Sequence, residues 1–333
     1  MRPIGVIYEN EAWLAPLFAA LDREAIPYAR CFAADASFDA DGPAPEWSLA
    51  LNKVSPSSYL REHARAIGFA HAFLPFLERR GVPVVNGSEA FRLETSKWEQ
   101  LRLLDRLGIP APRGARLTDP SRAAEAARGL RFPVIVKPNV GGSGALMRRF
   151  DTPADLAAAT DLDLGPDGTG LVQEYLETTD GAIARVEFLD GEYLYAIRIT
   201  NPSRQDFNLC PADICIEGAT PPQTPTGGLR GTESAATFDN CVIDAKRPLR
   251  IDAFDAPADM VDAVLRIGRA GRLDVGGVEY LVAARDGLPY VYDINALSNF
   301  VTDAETLVGF DPHARFARWL GARARAYELV AAT

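Results

Sequence analysis

The stretch that decides the fold of this 333-residue chain is VIVKPNVGGSG, residues 134–144. Its apolar start predicts a buried β-strand, Lys137 stands at the strand's end, and a loop with three glycines in four residues, 141–144, follows. Glycine lets backbone N–H groups approach a phosphate closely, and the lysine adds a point charge. The pattern is neither G-x-x-x-x-G-K-[ST] nor G-x-G-x-x-G. On its own it leaves phosphate binding and an ordinary surface loop open.

Four further segments place polar residues at the ends of predicted elements. They are a helix starting at Ser96-Lys97, a strand at 171–176 (LVQEYL), a strand containing Glu279, and a strand ending in Asp293-Ile294-Asn295. Together with the glycine loop these segments resemble the ATP-grasp superfamily of carboxylate–amine ligases, in particular ribosomal-protein glutamate ligase, glutathione synthetase and D-alanine:D-alanine ligase. The resemblance covers about residues 80–310, with the motifs in the family order. It implies an α/β chain, α+β in its C-terminal part, with an ATP-grasp fold after a small doubly wound α/β domain.

The resemblance implies an ATP site on the residues that match the family's nucleotide motifs. Lys97 and Lys137 match the lysines that hold the ATP phosphates. The loop that closes over the triphosphate is matched by Gly141, Gly142, Ser143 and Gly144. Gln173, Glu174 and Leu176 match the hinge that reads adenine, largely through backbone groups. Asp180 matches the acidic residue that bonds the ribose hydroxyls, although its loop differs in length from that of several relatives.

The resemblance also implies a metal site for Mg²⁺, with Mn²⁺ as an alternative, on Glu279, Asp293 and Asn295. Mg²⁺ prefers oxygen ligands and usually takes one or two carboxylates plus substrate phosphates. The family pattern is Asp followed by Glu-x-Asn, so the two carboxylates have exchanged lengths in this chain. A longer first acid and a shorter second acid preserve their summed reach, and we interpret the exchange as compensation. A pair of solvated hairpin acids is the alternative.

Strand register decides whether the two acids can meet. A two-residue turn at Asp286-Gly287 would put Glu279 and Asp293 on opposite faces of the hairpin. A three-residue loop from Arg285 to Gly287 would put them directly opposite each other on one face. Because metal binding requires the second register, we predict the three-residue loop.

Two arginines are the candidate catalytic residues. Arg198 falls where relatives place a cation that contacts the γ-phosphate and the acyl-phosphate. Arg185 reaches the same face only if the turn at Asp190-Gly191 has two residues, and a surface salt bridge is its alternative role.

The acceptor side is where the resemblance is weakest. Residues 207–212 resemble the segment bordering the acceptor pocket of D-alanine ligases, with Cys210 expected as a packed thiol because no partner histidine is evident. After Asn295 many relatives continue with a Pro-Gly turn, whereas this chain has ALSNFV at 296–301. Residues 52–58 (NKVSPSS) either face the carboxylate substrate or form a solvated loop. The sequence identifies neither substrate.

Composition bounds the remaining expectations. The chain has 35 Lys+Arg and 45 Asp+Glu, a net charge of −10 that disfavours nucleic acid as the main partner. No apolar run approaches the ~18 residues of a membrane span, and four cysteines without metal-ligand spacing are typical of a cytoplasmic protein. We predict domains at 1–92, 93–180 (with the glycine loop) and 181–333 (with the metal site). Homo-oligomerisation is left open.

The predicted activity is that of an ATP- and Mg²⁺-dependent carbon–nitrogen ligase that forms an acyl-phosphate and releases ADP and phosphate. Its substrates would be a small-molecule or peptide carboxylate and an amine. No Ser/His/Asp arrangement is evident, and an amine that displaces phosphate needs no enzymatic nucleophile. Two alternatives stay open: a nucleotide-binding sensor or scaffold without ligase chemistry, and an ATP-grasp phosphotransferase.

Overall fold

The computed structural model describes residues 1–201, 207, 209 and 249–331. Three β-sheets succeed one another along this part of the chain, with helices packed against them. Cys210, whose packing the sequence addressed, lies outside the described residues. Among the described helices, none has both the length and the hydropathy needed to cross a bilayer.

The N-terminal sheet is parallel throughout, as expected for a doubly wound domain. Its strands, in the spatial order β2-β1-β3-β4, are β1 (Ile4–Tyr8), β2 (Tyr28–Phe32), β3 (Leu49–Lys53) and β4 (Val84–Val85). Helix α1 (Glu11–Arg23) packs with one set of strand side chains, and helix α2 (Arg65–Arg79) packs with the other set. Alternate strand residues are therefore buried on both faces, which is the predicted arrangement.

The second sheet is small and antiparallel, and it carries the glycine loop. Its strands, in the order β5-β8-β6-β7, are β5 (Gly114–Leu117), β6 (Val134–Pro138), β7 (Arg148–Phe150) and β8 (Gly170–Glu174). The short helices α5 (Ala123–Ala126) and α6 (Pro153–Ala158) complete its core. The loop that follows Lys137 joins β6 to β7, as the sequence predicts.

The third sheet is antiparallel and carries the predicted metal ligands. Its strands, in the order β11-β10-β9-β12-β13, are β9 (Ala182–Leu189), β10 (Glu192–Thr200), β11 (Arg250–Ala253), β12 (Val275–Val282) and β13 (Pro289–Asn295). One face packs on helices α4 (Lys97–Leu107) and α7 (Ala258–Ala270). The other face shares a core with the N-terminal sheet and α1.

The remaining helices are α3 (Ser88–Glu94), α8 (Ala304–Val308) and α9 (Pro312–Ala331). Phe316 and Leu320 of α9 belong to the same buried cluster as Leu14 and Phe18 of α1. The last helix of the chain therefore packs on its first.

Candidate active site

A cleft of about 500 Å³ lies between the N-terminal sheet and the two later sheets. Every predicted site residue except Arg198 borders it, as follows: Lys97, Lys137, Gly141, Gly142, Ser143, Gly144, Gln173, Glu174, Leu176, Asp180, Arg185, Glu279, Asp293 and Asn295. Residues that are nearly 200 positions apart in the sequence thus converge on one cavity.

The two acids meet as predicted, but through a different loop. Glu279 is directly opposite Asp293 in the β12–β13 ladder, and Asn295 is opposite Gly277 on the same face. The predicted three-residue loop is wrong, because Val282 pairs with Pro289 and the N–H of Ala283 donates to the carbonyl of Leu288 at 3.0 Å. A register shift between Glu279 and Tyr280 leaves Tyr292 as an extra residue, and this bulge brings the acids together.

Both acids are already bonded to cations. The Nη1 of Arg185 donates to Glu279 Oε1 at 2.8 Å, and the hydroxyl of Tyr292 donates to Oε2 at 2.8 Å. Lys97 forms an ion pair with Asp293. Burial raises the pKa of Glu279, and the positive charge of Arg185 opposes that rise. The carboxylates are thus held in place by groups that also border the cleft.

The donor set fits a magnesium ion. Two carboxylates and one amide on one face of a hairpin offer the oxygen ligands that Mg²⁺ prefers. The buried amide nitrogen of Asn295 has no hydrogen-bond partner within the described part of the chain. No group of three His, Cys, Asp or Glu side chains among the described residues forms a metal site by itself. Glu279 and Asp293 match in number the one or two protein carboxylates that usually bind Mg²⁺ together with substrate phosphates.

Lys137 is a buried cation at the cleft with no anionic partner among the described residues. It is 7 % exposed, and the structure gives it no hydrogen bond or ion pair within the described residues. Burial, reinforced by the charge of Lys97, lowers its pKa to about 8. By contrast, the carboxylates of Asp293 and Glu94 hold the pKa of Lys97 above its ordinary value, against the effect of burial. An unpaired buried ammonium is costly and favours an anionic ligand beside it.

The glycine loop is held in a conformation that suits glycine. Gly144 has φ +68°, and a Cβ there would lie 2.5 Å from the carbonyl oxygen of Phe207. A Cβ at Gly142 would lie 3.6 Å from the Cβ of Ser57, in the segment that follows β3. A Cβ at Gly144 would collide with the backbone of Phe207, whereas a Cβ at Gly142 would make an ordinary van der Waals contact, so it is Gly144 that allows the close approach of the backbone.

The hinge strand uses its side chains for its own support. The Nε2 of Gln173 donates to the carbonyl of Pro112 at 3.1 Å. Glu174 accepts from Arg285 Nη1 at 2.8 Å and from the N–H of Arg131 at 3.1 Å. Both side chains are thereby occupied, and the reading of adenine by backbone groups of this segment stays a prediction.

The two arginines lie on opposite faces of the third sheet. The Asp190-Gly191 turn has two residues, as the Arg185 prediction requires, and Arg185 borders the cleft. A bulge at Leu194, however, places Arg198 opposite Ala184 instead of Ile183. Arg198 is consequently on the α7 side of the sheet, where it forms an ion pair with Asp180. Its predicted position beside the phosphates is wrong.

Residues 52–58 are buried, so the solvated-loop alternative is wrong. Lys53 is 6 % exposed, and its Nζ donates to the carbonyl of Ser298 at 2.6 Å. The hydroxyls of Ser55 and Ser57 are 2.8 Å apart, and both residues border the cleft. The segment thereby links the N-terminal sheet to the 296–301 segment that follows Asn295.

Two buried acids near the cleft were missed from the sequence. Glu94 borders the cleft and accepts the N–H of Ala296, and burial raises its pKa to about 7. Glu187 accepts from Arg185 Nε at 2.6 Å and is fully buried. The signal for Glu187 was present: Arg-Val-Glu at 185–187 puts two charges on one face of an otherwise apolar strand.

Known proteins share both sequence and architecture with this chain. D-alanine–D-alanine ligase from Halorhodospira halophila is 32% identical over 127 residues, which is 38% of this chain and 40% of that protein. The matched stretch thus spans about two fifths of the relative's length. No protein-family model matches the chain.

The likeness to solved structures extends over nearly the whole chain. D-alanine–D-alanine ligase from Bacillus anthracis superposes with a TM-score of 0.66 and 18% identity, covering 98% of this chain and 99% of that one. The ATP-grasp ligase PsnB, solved with a minimal precursor, has a TM-score of 0.63 and 18% identity, covering 97% and 100%. The predicted ATP-grasp fold is thereby confirmed.

Proposed function

We propose that this chain of ATP-grasp fold is an ATP- and Mg²⁺-dependent carbon–nitrogen ligase that releases ADP and phosphate. The observation that carries the proposal is the bulged hairpin, which sets Glu279 against Asp293 on the cleft face, with Asn295 beside them. The buried Lys137 and Arg185 and the largely buried Lys97 border the same part of the cleft.

Charge balance supports a metal-bound triphosphate as the ligand. The cleft side chains around the hairpin carry three positive and three negative formal charges, on Lys97, Lys137, Arg185, Glu94, Glu279 and Asp293. The protein alone therefore does not neutralise a triphosphate. Glu279, Asp293 and Asn295 would hold Mg²⁺, which supplies positive charge at the phosphates when bound.

The first chemical step is phosphoryl transfer. A substrate carboxylate oxygen attacks the γ-phosphorus, and the bond from that phosphorus to the β,γ-bridging oxygen breaks, so ADP leaves with the electron pair. Lys137 and Lys97 neutralise charge on the phosphate oxygens and keep the reactants aligned. Positioning and charge neutralisation are most of what such a transfer requires.

The second step makes the carbon–nitrogen bond. The amine nitrogen attacks the acyl carbon, the carbon–oxygen bond to phosphate breaks with its electron pair leaving on the phosphate, and the amine's proton passes to that phosphate. Arg185, fixed by Glu187 and Glu279, presents a guanidinium to the cleft where the departing phosphate carries its charge. The substrates belong to the classes of small-molecule or peptide carboxylates and amines.

The test is product analysis. Purified protein is incubated with ATP, Mg²⁺ and pools of carboxylates and amines, and the nucleotide and organic products are identified by mass spectrometry. We expect ADP, phosphate and an amide, with Lys137→Ala inactive and the exposed Arg79→Ala unaffected. AMP with pyrophosphate, or a stable phosphorylated product without an amide, would contradict the proposal.

A further inference from the structure

The outer edge of strand β13 is buried against helix α4. This strand contains Asp293 and Asn295, and it is the last strand of the third sheet in the described part of the chain. The residue between them, Ile294, is 1 % exposed, and its backbone N–H and C=O both bond to α4 instead of β12. Because successive residues of a strand direct these groups to opposite edges, the backbone groups of Asp293 and Asn295 face β12.

The partner of Ile294 is the side-chain amide of Gln100. Its Nε2 donates to the carbonyl of Ile294 at 2.8 Å, and its Oε1 accepts the N–H of the same residue at 3.3 Å. The Nε2 also donates to the carbonyl of Leu93 at 3.2 Å. Gln100 is 3 % exposed and lies on the apolar face of α4 with Leu103 and Leu104. A leucine at position 100 would continue that face but would leave both backbone groups of Ile294 without this partner.

Helix α4 is also fixed to the side of the cleft that carries the lysines. Lys97, three residues before Gln100, forms the ion pair with Asp293. The backbone N–H of Lys97 donates to the carbonyl of Asn139 at 3.1 Å, and Asn139 lies two residues after Lys137. The helix therefore joins the strand that carries Lys137 to the strand that carries the predicted metal ligands.

We propose that Gln100 is a positioning residue of the metal site, which holds Ile294 and thereby fixes the spacing of Asp293 and Asn295 that one Mg²⁺ requires. The inference rests on the proposed function for the presence of the metal. Gln100 does not border the cleft, so it acts through the strand. Groups that orient metal ligands from outside typically contribute about 10- to 100-fold to metal affinity.

Two ions of different size distinguish positioning from general support of the fold. Mg²⁺ demands near-ideal octahedral geometry at about 2.0–2.1 Å, whereas Ca²⁺ accepts flexible geometry at about 2.3–2.6 Å. A strand that is free to shift should therefore lose affinity for Mg²⁺ and keep most of its affinity for Ca²⁺. A residue that only supported the fold would change the binding of both ions and of the nucleotide together.

Calorimetry measures the affinity of a non-hydrolysable ATP analogue without metal, with Mg²⁺ and with Ca²⁺, so that catalysis is not needed. The quantity compared is the gain in analogue affinity that each ion brings. For Gln100→Met we expect the Mg²⁺ gain to fall about tenfold. The Ca²⁺ gain and the metal-free affinity should stay within about threefold of wild type. Gln100→Asn, whose amide is one methylene shorter, provides a second variant with the same expected selective loss.

Leu104→Ala is the matched control. Leu104 lies one turn further along α4 and is 1 % exposed, in the core that this helix shares with the third sheet. Because the variant leaves a cavity, it should lower the melting temperature at least as much as Gln100→Met does. Its Mg²⁺ gain should stay within about threefold of wild type. An equal loss of the Mg²⁺ gain in Leu104→Ala would assign the effect to a loosened helix and overturn the proposal.

Three other results would also overturn it: a full Mg²⁺ gain in Gln100→Met, an equal fall of both gains and of the metal-free affinity, or no Mg²⁺ gain in the wild-type protein. This inference and the proposed function fail in different ways. A protein that shows the selective loss but makes no amide retains this inference and loses the ligase function. A protein that makes an amide while Gln100→Met keeps its Mg²⁺ gain retains the ligase function and loses this inference.

Discussion

Two hairpins of the third sheet each contain one β-bulge, and the bulges have opposite consequences for the site. In the β12–β13 hairpin the extra residue Tyr292 brings Glu279 opposite Asp293. In the β9–β10 hairpin the extra residue Leu194 moves Arg198 away from the face that carries Arg185. One bulge assembles a ligand pair and the other separates two cations.

The difference shows what sets the chemistry of a sheet face. A single inserted residue exchanges the face of every residue beyond it, because side chains alternate with a period of two. The turn sequence at the hairpin tip fixes the register only as far as the bulge. Which polar residues share the cleft is therefore decided in the middle of the strands.

The largest expected effect is a difference in kcat between the alanine variants of Arg185 and Arg198. Arg185→Ala should lower kcat by about 10²- to 10³-fold, the scale of losing one preorganised donor at a charged transition state. Arg198→Ala, on the other face, should stay within about threefold of wild type, as expected for an exposed pair. Steady-state kinetics of both variants measure the contrast, and a large loss in Arg198→Ala would place that residue in the site after all.

The exchanged acids provide the next test. Glu279→Asp and Asp293→Glu should each cost about tenfold or more in kcat, on the order of 1.4 kcal/mol, because each makes the pair too short or too long for one ion. The double variant, which restores the family order, should recover much of the activity. A double-mutant cycle with Mg²⁺ titration measures this coupling. Harmless, strictly additive single variants would mean that the two carboxylates do not share a metal.

Much of this architecture could be predicted from the sequence. The parallel N-terminal sheet and the strand–lysine–glycine-loop unit follow from apolar periodicity and from glycine and proline positions. The prediction that Lys97, Lys137 and Asp293 share a site comes from the resemblance to the ATP-grasp superfamily, whose motifs can be matched along the sequence without knowing the packing. These residues reach the cleft because element ends meet there.

The parts that could not be predicted depend on mid-strand irregularities and on contacts between distant segments. Neither bulge has a glycine or proline signal at its extra residue, since those residues are Tyr292 and Leu194. The burial of residues 52–58 depends on the Lys53–Ser298 contact, which joins segments 245 positions apart.

The two sheets that border the cleft differ in the kind of cation they contribute, and pH should separate their effects. Arg185, on the hairpin sheet, stays charged at all usable pH values. Lys137, on the glycine-loop sheet, has a pKa lowered to about 8 from 10.5. Because nucleotide binding needs its ammonium, affinity for the ATP analogue should fall about tenfold between pH 7 and pH 9.

Protein stability should change in the opposite direction over this range. The folded-state pKa of Lys137 lies below the unfolded value, so the unfolded chain binds more protons between pH 8 and 10.5 and the free energy of unfolding rises with pH. Lys53, with a pKa also lowered to about 8 by burial, contributes to this rise, but it does not border the cleft. Titration calorimetry of the ATP analogue with Lys137→Met, between pH 7 and pH 9, checks whether Lys137 causes the change in affinity. If the affinity of this variant still falls with pH, the titrating group is another residue.

The smallest effect should come from the ion pair between Arg198 and Asp180, because the bulge at Leu194 places Arg198 away from the cleft. Arg198 and Asp180 have side chains 41 % and 47 % exposed, so their ion pair should contribute only about 0.2–1 kcal/mol to the free energy of unfolding. Denaturant unfolding of Arg198→Ala, Asp180→Ala and the double variant gives the coupling energy directly.

Of the two residues in this pair, only Asp180 borders the cleft. Asp180→Ala should therefore also weaken binding of the ATP analogue by about 3- to 10-fold, the scale of one hydrogen bond to ribose, whereas Arg198→Ala should not. If both variants weakened nucleotide binding equally, the two residues would act as one unit and the bulge would not separate Arg198 from the site.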